Sequence, residues 1–380
     1  WENYAGGTDR LLSWEEAKQR FVRQREKVRE KTFSLQKIYR QSEEVLTLEN
    51  ERDQLAERLE TLKEQVTADE AYAAEGAKIV ESNEEVWQRS EMILKVKEPV
   101  GGERELMQKG QLLFTYLHLA ADPDLVEALV RKKVNSIGYE TVQLDSGALP
   151  LLSPMSEIAG RMAVQEGAVY LEKFRDGKGI LLGGVSGVPP AKVTVLGAGT
   201  VGTNSAKVAM GMGAQVTVID INLERLRQLD DIFWGKLKTL ASNAYNIEYA
   251  VAESDLVIGS VLVPGAKTPY LVTEEMVKKM SRGSVVVDVA IDQGGCFETS
   301  KPTTHSQPTF SVHGVTHYCV GNMPGAVPRT STFALTNATL PYVLILAEKG
   351  FNRAIEYNRP LARGVNTAHG DVVHPGLKGL

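Results

Sequence analysis

Val193-Thr194-Val195-Leu196-Gly197-Ala198-Gly199-Thr200-Val201-Gly202, then a small-residue helix, then Gln215-Val216-Thr217-Val218-Ile219-Asp220, is the stretch that decides the fold. Its β-branched opening is a buried strand. Gly197, Gly199 and Gly202 supply a tight turn, close approach of the backbone to a pyrophosphate, and tight packing of helix on strand. The helix N-terminus that follows favours a negative phosphate group. Ala206, Ala209, Gly211 and Gly213 keep that helix slim. Asp220 closes the second strand at the offset where a carboxylate accepts hydrogen bonds from an adenosine ribose, which favours NAD over NADP. Strand, turn, helix, strand and acid in register make this a dinucleotide site.

The pattern extends in both directions. Towards the N-terminus, strands are expected at Lys78 to Val80, Met92 to Val96, Gln111 to Leu117 and Ser136 to Thr141, with an amphipathic helix over Asp124 to Lys132. Leu149 to Ser156 is a proline-containing crossing into a helix that runs from Ile158 to Arg175. Towards the C-terminus, strands are expected at Leu256 to Val261, Ser284 to Val289 and Tyr318 to Val320. Alternation of this kind implies an α/β fold: a Rossmann-type doubly wound parallel sheet plus a second, smaller α/β lobe.

Residues 8 to 75 contain neither glycine nor proline, and 27 of the first 66 residues are charged, so the chain should open with a long helical segment. Ile38, Val45, Leu48, Leu55, Leu59, Leu62 and Val66 fit a heptad, with Arg52 at one a position. An intermolecular coiled coil and a helical hairpin folded back on its own chain are both open. The expected division is a coiled-coil-like segment over 1–66, a substrate lobe from 67–150 and 327–380, and a nucleotide-binding domain over 151–326.

With 380 residues the chain has room for two or three domains, and a net charge of -5 argues against a general nucleic-acid surface. No stretch approaches about 18 uninterrupted apolar residues. Only Cys296 and Cys319 are present, too few for a disulfide framework, and the N-terminus shows no export signal, so a cytoplasmic location is expected.

Ligands of open parallel sheets bind beyond the carboxyl ends of the strands, and Lys97, His118, Asp220, Asp292 and Asn322 all fall at such places. His118 is the only one of six histidines at an expected strand end, where it can exchange a proton near neutral pH; the alternative is a packed core histidine. Asp292, before Gly294 and Gly295, can orient a proton carrier or simply stabilise its turn. Lys97 can bind a carboxylate as a point charge or stand solvated before Pro99. The remaining histidines lack metal-ligand spacing, so no metal site is expected, and both cysteines read as packing residues.

From about Ala68 onward the chain closely resembles bacterial alanine dehydrogenase. The resemblance is carried by Leu94 to Pro99, Phe114 to Ala120, Leu149 to Gly160, Leu181 to Val185, Gly197 to Gly202, Val261 to Gly265, Asp288 to Cys296 and Asn322 to Pro328. It implies reversible NAD-dependent oxidative deamination of L-alanine to pyruvate and ammonia by a homo-oligomer, hexameric in the family. It implies that Lys97 holds the substrate carboxylate, that His118 is the acid/base and that Asp292 supports proton and water transfer. The cofactor contacts it implies are Ser156, Gly197, Ala198, Gly199, Thr200, Val201, Gly202, Asp220, Arg225, Ser242, Val261, Leu262, Val289, Ala290, Ile291, Asp292, Val320, Gly321, Asn322 and Met323. Residues 1–66 depart from the family pattern, which there carries a Glu-x-Arg-Val motif whose arginine binds the substrate carboxylate. Gln19-Arg20-Phe21-Val22 sits in a charged helical run and is not assigned that role. Two other readings remain: a non-catalytic NAD-binding assembly protein, and a soluble subunit of nicotinamide nucleotide transhydrogenase, for which Lys95-Val96-Lys97 and Leu117-His118-Leu119 are unexpected.

Overall fold

A computed structural model describes residues 69–261 and 268–377. The expected N-terminal coiled coil lies outside them. The chain divides into two units, Trp1–Glu81 and Ser82–Leu380. In the first, residues 69–74 are helical and residues 77–80 pair with no strand, so the strand expected at Lys78 to Val80 is not formed. Lys78 and Ile79 are exposed there and Val80 is half-buried.

The second unit contains two sheets. The smaller has the order β1-β2-β3-β11-β12, formed by Met92–Leu94, Leu112–Thr115, Asn135–Gly138, Val365–Ala368 and Asp371–Val372. Its first three strands are parallel, with Leu94 beside Phe114 and Thr115 beside Gly138. Strand β11 runs antiparallel to β3, so the end of the chain completes the sheet begun near residue 92. Helix α1 (Pro123–Lys132) links β2 to β3, its start capped by the Asp122 side chain, which accepts from the Leu125 N–H at 3.0 Å.

The larger sheet has the order β6-β5-β4-β7-β8-β10-β9, formed by Lys192–Leu196 (β4), Gln215–Asp220 (β5), Lys238–Ala241 (β6), Leu256–Gly259 (β7), Val285–Asp288 (β8), Thr309–Val312 (β9) and Val315–Tyr318 (β10). All of its pairings are parallel except β9 with β10. Strands β7 and β8 are buried throughout, which is why they read as continuous apolar runs rather than alternating ones. Strand β4 lies between β5 and β7, so chain direction across the sheet reverses at its carboxyl end, the usual ligand position of a doubly wound fold.

Two expected strands are displaced. Residues Tyr139–Thr141 form a single 3₁₀ turn instead of extending β3, because the Gly138 N–H and the Thr141 hydroxyl both bond the Gly364 carbonyl and bend the chain off the sheet. The last parallel strand is Val315–Tyr318 rather than Tyr318 to Val320. It is preceded by an antiparallel partner, joined through His313 and Gly314, both with positive φ, as a tight hairpin requires.

Helix α2 (Ser153–Tyr170) leads from the small sheet to the large one and packs along α3 (Thr200–Gly211). A Cβ at Gly160 would lie 2.3 Å from the Val201 carbonyl, and Ser205 Oγ donates to the Gly160 carbonyl at 2.9 Å, so the two backbones meet with no room for a side chain. Helix α4 (Pro328–Tyr357) leads back, buries Leu335, Leu346 and Ala354 against Phe114, Ile137 and Val365, and breaks at Gly350 with φ 67°. It is long and apolar enough to cross a membrane by length and composition. Thr330, Ser331, Thr332, Thr336, Asn337 and Thr339 interrupt it, so it contains no long unbroken apolar run.

Candidate active site

The glycine turn at the end of β4 is built almost wholly from backbone. Gly197 has φ +99°, and a Cβ there would meet the Ser260 carbonyl at 2.9 Å; one at Gly202 would lie 1.9 Å from the Gly197 carbonyl. A Cβ at Gly199 would meet nothing within 4 Å, so the turn opens to solvent there, and Thr200 and Val201 begin α3 directly behind it. That open cradle fits a dinucleotide. The turn is tied down from three sides. Asp220 accepts the Ala198 N–H at 2.6 Å and the Asn222 N–H at 2.7 Å. Arg225 donates through Nε to the Ala198 carbonyl at 2.8 Å, through Nη2 to Thr203 Oγ1 at 2.8 Å and through Nη1 to Gln228 at 3.0 Å. Ser260 Oγ donates to the Leu196 and Gly197 carbonyls at 2.7 and 3.1 Å.

Ser260 was not among the expected site residues; its signal is a lone hydroxyl at the end of the apolar run Leu256 to Gly259. Ser242 follows β6 and donates its N–H to the Asp220 carbonyl at 2.9 Å. Ser156 lies in the first turn of α2, half-buried, and Val261 follows Ser260, also half-buried. Leu262 lies outside the described residues.

Strand β8 ends in Asp288, which is fully buried and accepts from the N–H groups of Ala290 (3.1 Å) and Cys296 (3.0 Å) and from Ser300 Oγ (2.7 Å). Burial pushes its carboxyl up from the ordinary range against the pull of those donors. The loop held in this way contains the 3₁₀ turn Ile291–Gln293 and carries Asp292 to the surface. Asp292 Oδ2 accepts the Asn322 N–H at 3.3 Å, and a Cβ at Gly321 would lie 2.8 Å from Asp292 Oδ1, so the loops after β8 and β10 touch. Asn322 is left-handed, with φ 54° and ψ 49°. Ala290, Ile291, Val320 and Met323 are buried in side chain and Val289 half-buried, so backbone is what the first four offer a ligand. Cys296 and Cys319 are buried thiols; burial pushes Cys296 well up and Cys319 up to about 12.

At the carboxyl ends of β1, β2 and β3 a second group forms from side chains. The ammonium of Lys95 pairs with Glu103, whereas Lys97 is exposed and, among the described residues, has no ion pair. The Thr115 hydroxyl fixes the backbone between them and His118 by donating to the Lys97 carbonyl at 2.9 Å. His118 has left-handed backbone, φ 49° and ψ 35°, uncommon for a residue with a Cβ. The Glu140 carboxylate accepts the N–H of Leu117 at 3.0 Å and of His118 at 2.7 Å. The His118 ring stacks on Tyr116, centroids 5.9 Å apart and planes at 27°, and its Nδ1 is 3.2 Å from Glu98 Oε2. Tyr116 is anchored by its hydroxyl to the Leu151 carbonyl at 2.6 Å, and burial raises its phenol. Sequence reasoning named Lys97 and His118 but gave neither Glu98 nor Glu140 a role. Among the described residues, no group of three or more histidine, cysteine, aspartate or glutamate side chains is placed to hold a metal ion.

Against known proteins, residues 60–159 match the family model described as alanine dehydrogenase/PNT, N-terminal domain, and residues 163–375 match the alanine dehydrogenase/PNT C-terminal domain. The chain belongs to the alanine dehydrogenase/PNT family. Within that family it is 59% identical over 310 residues to an alanine dehydrogenase of Methanococcus maripaludis, covering 81% of this chain and 83% of that one. To alanine dehydrogenase 2 of Staphylococcus aureus it is 58% identical over 307 residues, 80% and 82% of the two chains. A solved L-alanine dehydrogenase superposes with a TM-score of 0.76 at 55% identity, over 81% of this chain and 84% of that one. A transhydrogenase of Sinorhizobium meliloti, at 24% identity and TM-score 0.67, shares the fold.

Proposed function

We propose that the chain is an NAD-dependent alanine dehydrogenase, catalysing the reversible oxidative deamination of L-alanine to pyruvate and ammonia as a cytoplasmic homo-oligomer, hexameric as in its family. The observation that carries this reading is the coincidence, in a chain 55% identical to a solved L-alanine dehydrogenase, of an open glycine cradle at the end of β4 with Lys97 and His118 at the ends of adjacent strands. On this reading residues 67–150 and 327–380 form the substrate side and 151–326 the nucleotide side.

A bound NAD would supply the hydride acceptor for oxidation at the alanine Cα. The Gly197 to Gly202 turn and the start of α3 would hold its pyrophosphate, and Asp220 would take the ribose hydroxyls and disfavour a 2′-phosphate. Arg225 is committed to the turn by three hydrogen bonds, so it does not offset that discrimination. Lys97 binds the substrate carboxylate as a point charge. His118 accepts the proton lost at the nitrogen or from the attacking water, and returns one in the reverse direction. Asp292, exposed on its turn, orients that water. NADH formation on adding L-alanine, followed by absorbance, is the deciding experiment. Steady turnover is expected, and NAD binding without turnover would overturn the proposal in favour of a non-catalytic assembly protein.

A further inference from the structure

The three carboxyl ends of β1, β2 and β3 place Glu98, His118 and Glu140 side by side, although these residues come from three separate strand-to-loop segments. The two carboxylates meet the histidine differently. Glu140 meets its backbone, taking two consecutive N–H groups that β2 leaves behind when it ends. Glu98 meets its ring, at Nδ1. We propose that Glu98 and Glu140 are positioning residues for His118: Glu140 fixes the left-handed backbone that aims the ring, and Glu98 fixes the tautomer, so that Nδ1 carries the hydrogen and Nε2 presents its lone pair. The proposal rests on the alanine dehydrogenase reading for its catalytic consequence, though not for its structural one.

The chemistry follows from what each group can do. A carboxylate only accepts, so a neutral imidazole whose Nδ1 faces Glu98 satisfies the contact only with its hydrogen on Nδ1. The other nitrogen is then the base. When it acts, an N–H bond forms at Nε2, the substrate's N–H or the water's O–H bond breaks, and the electron pair stays on the substrate. The imidazolium that results has Glu98 beside it as counter-charge. Ring rotation by 180° would exchange Nδ1 with a carbon and lose the Glu98 bond, and the Tyr116 stack favours the observed setting. The left-handed conformation is unfavourable for a residue with a Cβ. It persists because two N–H groups with no ladder partner gain a charged acceptor.

Replacing Glu98 with glutamine keeps the volume but lets the amide either accept from Nδ1 or donate to it, which removes the bias. The test is ¹⁵N NMR of the full chain with labelled histidine, with the His118 signals identified by their loss in His118→Gln. The wild type should show protonated Nδ1 and bare Nε2, and Glu98→Gln should shift that ring towards protonated Nε2. In parallel, kcat for L-alanine should fall about 10- to 100-fold in Glu98→Gln while NAD affinity and KM change less than about threefold, since the amide leaves the ring in place but not its tautomer. A wild-type ring protonated on Nε2, or a Glu98→Gln protein with unchanged tautomer and kcat, would overturn the proposal. If the wild type forms no NADH from L-alanine, the functional reading fails alone, because the tautomer measurement still decides whether Glu98 directs His118.

Discussion

The two ends where ligands are expected are built in opposite ways. At the end of β4 the site is backbone: glycines at 197, 199 and 202, with side chains from Asp220, Arg225 and Ser260 serving to hold peptide groups. At the ends of β1 to β3 it is side chain: Lys97, Glu98 and His118, with one carboxylate spent on the backbone. A pyrophosphate asks for N–H groups and room, which ten consecutive residues can supply. Proton transfer asks for one group at one angle with a partner across from it, which takes several strands. The first site should therefore fail when space is filled, and the second when a single proton carrier is lost.

The largest expected effect lies on the side-chain site. His118→Ala should lower the rate of the chemical step by roughly 10²–10⁴, the usual worth of a placed acid/base, with NAD affinity nearly unchanged. Single-turnover hydride transfer beside calorimetric NAD titration would measure both, and normal turnover would show that the chemical step does not need His118, which is exposed and not a packed core residue. Next, Gly202→Ala places a Cβ 1.9 Å from the Gly197 carbonyl, so the turn must open. NAD affinity should fall by about 10- to 100-fold, roughly 1.4 to 2.8 kcal/mol, with the small sheet unaltered by amide exchange. Retained affinity would show that the cradle tolerates movement its close contacts argue against. A smaller effect separates the cofactors: NAD should bind at least about tenfold more tightly than NADP, because a 2′-phosphate would meet Asp220. Equal affinities by calorimetry would mean that Arg225 leaves its three partners for the phosphate.

The smallest effect lies away from both sites and serves as a control. Burial holds the ring of His317 below its ordinary value, with Thr299 Oγ1 2.8 Å from Nε2 and the Val315 carbonyl 3.1 Å from Nδ1. A histidine depressed in the folded state binds its proton more readily when unfolded. Its contribution to stability is therefore complete above the unfolded value near 6.5 and is lost as pH falls below it, by at most about 1.4 kcal/mol per pH unit per group. Urea denaturation at pH 7.5 and 5.5 should show the loss, and His317→Gln should flatten it without affecting NAD affinity.

The strand-turn-helix-strand of the nucleotide site was legible because its determinants are local: each glycine is required by a neighbour a few residues away, and apolar runs such as Val285-Val286-Val287 mark strands buried on both faces. Lys97, His118 and Asp292 were legible as polar residues where apolar runs end. Their partners were not. Glu98 to His118 spans 20 residues and His118 to Glu140 spans 22, and no periodicity links them; only the parallel register of β1, β2 and β3 makes them neighbours. The same holds for Arg225, which the resemblance implies as a cofactor contact and which in the fold grips the Ala198 carbonyl. The composition of Tyr139 to Thr141 suits a strand, yet the chain turns there. What ends the strand is the Gly364 carbonyl, more than two hundred residues on, which captures the Gly138 N–H and the Thr141 hydroxyl. Local sterics and burial can be read from neighbours in the chain; the partner of a hydrogen bond between strand ends is chosen by the sheet that brings them together.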